Sequence, residues 1–129
     1  MCQVFISADP ALYESRTRSV RLHGVATSIK LENLFWQVLD DIAMRDGMRT
    51  PQLCTKLYDE LVQERGAVDN FASFLRVCCG RYLALQLCGG IPQDSRIPIA
   101  SLNARRVLAI ERLGGLKGGQ HGELQAQAA

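Results

Sequence analysis

Apolar and polar residues alternate from Ala26 to Glu32. Thr27, Ile29 and Leu31 fall on one side of an extended chain, and Ala26, Ser28 and Lys30 on the other. At Asn33 the period changes to that of a helix, predicted over about Asn33 to Asp46. Phe35, Leu39 and Ile42 recur at helical spacing, and Trp36 and Ala43 widen the stripe. Asn33 suits the N-cap, and Gly47 is placed to end the helix in a left-handed conformation. A second helix opens at Thr50-Pro51, read as N-cap and first helical residue. Its apolar face is Leu53, Cys54, Leu57, Tyr58 and Leu61, and it runs to about Arg65 before Gly66. A third helix is predicted from Asp69 or Asn70 to about Cys88, with Phe71, Phe74, Leu75, Cys78, Tyr82 and Leu85 as its stripe. It is apolar over much of its circumference, which suits burial on more than one side.

The flanks carry weaker patterns. In residues 17–23, Val20 and Leu22 alternate with Ser19, Arg21 and His23. Two readings stay open: a second strand joined through Gly24-Val25 as a hairpin, or an extended basic arm. Cys2 to Ile6 suits a brief strand, and Asp9-Pro10 suits a cap and a helical turn. Beyond Cys88, Gly89-Gly90, Pro92 and Pro98 interrupt regular structure. A last helix is expected from Ser101, as cap, to about Leu113, with Arg105-Arg106 on a solvated face. The glycines from Gly114 to Gly119 and the Gln/Ala-rich end read as a flexible tail. The expected organisation is an N-terminal segment (1–16), a domain over 17–88 and a C-terminal segment (89–129).

A strand with one apolar face needs a hydrogen-bonded neighbour. A second copy of the chain supplies one if strand 26–32 pairs with itself, antiparallel, about a two-fold axis. Ile29 and Leu31 would then face the helices, and Ser28 and Lys30 would face outward. The net charge of +2 decides little, but its distribution does more. From Arg16 to Lys30 the ionised residues are Arg16, Arg18, Arg21 and Lys30, with no acid among them. Asp40, Asp41, Asp46, Asp59, Glu60 and Glu64 lie in the helices. Such an asymmetric field suits a polyanion on the strand face.

Other chemistry finds little support. The five cysteines include no CxxC pair, and neither His23 nor His121 lies near a cysteine, so no metal or cofactor is expected. Cys54 and Cys78 read as small buried hydrophobes of a reducing compartment. No apolar run approaches the roughly 20 residues of a membrane span. The N-terminus lacks a basic secretion signal, so the cytoplasm is the expected location. No nucleophile elbow, Gly-rich phosphate loop or convergent acid–base pair points to an enzyme.

Arg18-Ser19-Val20-Arg21-Leu22, Gly24, Thr27-Ser28-Ile29-Lys30-Leu31-Glu32, Phe35-Trp36, Leu39 and Ile42-Ala43 form a pattern over about residues 17–65. It resembles the ribbon-helix-helix fold of the Arc and methionine repressor type, in the subgroup with an added third helix. The resemblance implies a mostly α fold with a short β ribbon, an intertwined homodimer and double-stranded DNA as partner. It places base contacts at Ala26, Ser28 and Lys30, with phosphate held by Arg49 and Thr50 where the second helix starts. Arg18 and Arg21 are added as candidate DNA contacts, and Ile29, Leu31, Phe35, Trp36, Leu39 and Leu57 as the dimer core. The implied function is transcriptional regulation by a bacterial repressor-like protein. The alternatives are an antitoxin-like or adaptor protein binding a protein partner through residues 89–129, or a ribbon that takes a nucleotide ligand.

Overall fold

The computed structural model describes residues 2–114. The chain divides into two compact units, Met1–Gly80 and Arg81–Ala129. The first unit holds α1 (Cys2–Ile6), a 3-10 turn (Pro10–Tyr13), β1 (Ser15–Leu22), β2 (Val25–Glu32), α2 (Asn33–Arg45), α3 (Thr50–Arg65) and the start of α4 (Phe71–Leu87). The second holds the end of α4, a 3-10 turn (Ile99–Ser101) and α5 (Ala104–Leu113). Most of the expected C-terminal tail, from residue 115 on, lies outside the described residues.

Residues 17–22 belong to β1, and the hairpin is the arrangement observed. β1 and β2 pair antiparallel with Leu22 opposite Val25, so the connecting pair is His23-Gly24, one residue earlier than expected. Both have positive φ, 52° and 77°. A two-residue turn that matches the twist of its strands needs this. Glycine adopts it freely, and histidine is among the side chains enriched there. One edge of β2 is therefore paired with β1 of the same chain, and the expected pairing with a second copy of β2 concerns its other edge. The sheet has two strands, so the other edge of β2 carries no strand among the described residues.

Alternation then separates the hairpin's faces. Val20, Leu22, Ile29 and Leu31 are buried inward. They join Trp36, Val38, Leu39, Ala43, Leu53, Cys54, Leu75 and Cys79 in the core of the first unit. Ile29, Leu31, Trp36 and Leu39 are thus buried within one chain, while Phe35 and Leu57 are half-buried. Of the vicinal cysteines it is Cys79, not Cys78, that is fully buried. Burial pushes the Cys54 thiol up to about 11 and the Cys79 thiol up to about 12.

Helix ends follow local chemistry, with several caps reassigned by tertiary contacts. α2 ends as predicted at Gly47 (φ 69°). The Gly47 N–H donates to Met44 O and the Met48 N–H to Ala43 O, the paired bonds of a Schellman motif. The side chain of Asn33 does not cap α2. It donates to Ala11 O at 2.9 Å, and Glu32 occupies the N-cap position. In α3 the N-cap position is Arg49, not Thr50, and the Arg49 N–H is taken by Gln52 Oε1 at 2.9 Å. Asn70 Oδ1 accepts from Ser73 N at the start of α4. Asn103, not Ser101, caps α5 through Arg106 N. Residues 2–6 are a short exposed helix rather than a strand.

Polar and aromatic contacts bind these elements together. Trp36 Nε1 donates to Arg16 O at 2.8 Å, fixing α2 to β1. His23, Tyr58, Phe71 and Phe74 form a ladder of ring contacts from the hairpin turn through α3 to α4, with centroids 5.2, 5.2 and 5.9 Å apart. Arg76 of α4 grips the Glu32 carboxylate at 2.9 Å. In the second unit Arg81 makes a two-pronged pair with Glu111 at 2.7 and 2.8 Å.

Removing the fully buried Leu31 side chain leaves a void under the hairpin. Leu31→Ala is expected to lower unfolding stability by about 2–5 kcal/mol, read from the urea midpoint at unchanged slope. The hydrogen bond from Arg76 holds the Glu32 carboxyl below its ordinary range. The folded state therefore binds fewer protons than the unfolded one. This contribution is complete above the unfolded value of about 4.3 and is lost as pH falls through the folded value. Glu32→Gln should flatten the fall in stability as pH drops below the unfolded value of about 4.3.

Candidate nucleic-acid interface

The outward face of the hairpin is a small polar grid. Thr17 lies opposite Lys30, Ser19 opposite Ser28, and Arg21 opposite Ala26. All of these residues are exposed. Their charges are the cations Arg21 and Lys30, and no carboxylate stands between Thr17 and Lys30 on either strand's outward positions. Serine, threonine, arginine and lysine are donors to both base edges and phosphate oxygens, and alanine offers a methyl to thymine.

The start of α3 lies along β1. Thr55 Oγ1 donates to Arg21 O at 2.7 Å, which sets the first turns of α3 beside the grid. Between them is an open cleft of about 380 Å³ lined by Ser19, Val20, Arg21, Ala26, Pro51, Gln52 and Thr55. Arg21 Nη1 reaches Gly24 O at 3.2 Å, an exposed contact within the turn.

The predicted site residues thus divide. Ala26, Ser28, Lys30 and Arg21 share the outward face. Arg49 is exposed at the N-cap of α3, although its own N–H is already bonded to Gln52. Thr50 is buried and its hydroxyl donates to Asp40 Oδ1. Arg18 is on the inward face. Its Nη1 donates to the same Asp40 oxygen at 3.0 Å, and its guanidinium carbon lies 4.9 Å from the Trp36 ring centre. Asp40 therefore ties β1, α2 and the start of α3 together. Sequence reading gave it no role beyond a helix charge. Thr17 and Ser19, whose alternation with Val20 places them on the outward face, complete the grid.

Among the described residues no group of His, Cys, Asp and Glu is arranged to hold a metal ion, and no helix is long and apolar enough to cross a membrane.

Asp40→Ala deprives the buried Thr50 hydroxyl of its acceptor and Arg18 of its counter-charge. The expected loss is about 1–3 kcal/mol of unfolding stability. A double-mutant cycle with Thr50→Val should show a coupling of at least about 0.5 kcal/mol.

Comparison with known proteins agrees with this geometry. No curated protein matches the chain. A solved structure described as an uncharacterized protein from Bordetella pertussis Tohama I is 60% identical, with a TM-score of 0.82, over 84% of this chain and 86% of that one. The model of the ribbon-helix-helix domain matches residues 15–83, the stretch that holds the hairpin, α2, α3 and most of α4. The chain belongs to the ribbon-helix-helix family, a family of DNA-binding proteins.

Proposed function

We propose that the protein is a dimeric, sequence-specific DNA-binding regulator of the repressor kind. Two copies pair antiparallel through the open edges of β2, and the two β2 strands form the central ribbon. Ala26, Ser28 and Lys30 of each copy then point together into the major groove, which admits a two-stranded ribbon. The observation that carries this reading is the hairpin's outward face from Thr17 to Lys30, polar, cationic and without a carboxylate, next to an edge of β2 that carries no strand among the described residues.

Pairing through β2 suits the backbone as well. With Leu22 opposite Val25 at a two-residue turn, the backbone groups of Ala26, Ser28 and Lys30 point away from β1. An open row of such groups is a template for another strand. Lys30 donates to guanine O6 or N7, and Ser28 donates or accepts. Arg49, exposed beside α3, supplies charge to phosphate. Arg18 and the Thr50 hydroxyl act from behind the surface, through Asp40.

Lys30→Ala combined with Ser28→Ala is expected to weaken binding to a selected duplex by at least about tenfold at fixed salt, and to leave the dimer intact in sedimentation. Unchanged affinity would show that the ribbon is not the reading surface.

A further inference from the structure

We infer that β1 forms a second tier of the DNA interface, in which Thr17, Ser19 and Arg21 bind the phosphates that wall the groove while β2 reads the bases. This rests on the dimeric ribbon proposed above and specifies what the added strand does there. The register puts Thr17, Ser19 and Arg21 on the same face as Lys30, Ser28 and Ala26, one strand further out.

Spacing assigns the two strands different targets. Neighbouring strands lie about 4.8 Å apart, so two β2 strands about a two-fold axis sit about 2.4 Å from it. The β1 strands then lie about 7 Å from the axis. The major groove is about 12 Å wide, so its walls lie about 6 Å from the same axis. The β2 side chains therefore enter the groove, and those of β1 stand over its sugar–phosphate edges. The residue types agree with that position. Threonine, serine and arginine all donate to phosphate oxygens. They are exposed, and no acid is interleaved with them on that face. Arg18, one position from Ser19, is excluded from the tier because it faces inward and is held by Asp40.

The test uses the full chain and two duplexes, one selected from a random pool by the wild-type protein and one scrambled. Affinity is measured across a salt series for Arg21→Ala, Arg21→Lys, the double variant Thr17→Val with Ser19→Ala, and Lys30→Ala. Circular dichroism melting confirms that each is folded. Arg21→Ala should weaken binding to both duplexes by the same factor and reduce the salt slope by about 2, since each dimer loses two phosphate contacts. Arg21→Lys should restore the slope. The Thr17/Ser19 variant should weaken both duplexes equally with the slope unchanged, because neutral donors release no counterions. The inference is overturned if the β1 variants bind like wild type while Lys30→Ala does not. It is also overturned if a β1 variant changes the preferred base at a defined position, which would place β1 inside the groove. If Lys30→Ala binds like wild type, or the wild type binds neither duplex, the ribbon reading and this inference fall together.

Discussion

The pairing of β1 with β2 in one register is the constraint on which the rest depends. Side chains alternate faces along a strand, so a slip of one residue would exchange Ile29 and Leu31 with Ser28 and Lys30. Several independent contacts hold the register. The His23-Gly24 turn sets the loop length through two positive φ angles. Trp36 binds Arg16 O, and Thr55 binds Arg21 O. Arg76 holds Glu32 where β2 passes into α2. The hairpin is thereby fixed near one end by α2, along β1 by α3, and at its junction by α4. A surface held in this way loses little entropy when it meets a rigid partner.

Arg18 and Arg21 show how position overrides residue type. Both lie on β1 in a run without acids. Arg18 falls on the inward parity, stacks on Trp36 and pairs with Asp40. Arg21 falls on the outward parity and contacts its own turn. A charge count treats them alike, whereas the pleat sends one into the scaffold and leaves the other on the exposed face.

Much of this was legible in the sequence, because the signals were local. Alternation over residues 17–32 fixed which side chains point inward. Gly47 and Gly66 marked the ends of α2 and α3 where the chain does turn with positive φ. The errors came from tertiary competition. Asn33 and Thr50 are good capping residues by type, yet Ala11 O claims one side chain and Asp40 the other. In α4, apolar around most of its girth, periodicity did not separate Cys78 from Cys79. The hairpin turn was obscured because His-Gly is not one of the strong two-residue turn pairs, which are led by Asn-Gly and Asp-Gly. Asp40 could not be recognised from sequence, since its importance comes from Arg18 and Thr50 meeting at a single carboxylate oxygen.

Ribbon and dimer make one joint statement about the DNA. In the proposed dimer, two copies joined through β2 present the same side chains twice, related by a two-fold axis, so a bound sequence would carry that symmetry. Selection of bound duplexes from a random pool by the wild-type protein, at a defined salt concentration, tests this most directly. The expected result is a two-fold symmetric consensus that is lost when the ribbon side chains are removed. Enrichment of an asymmetric site, or no enrichment above the starting pool, would contradict it.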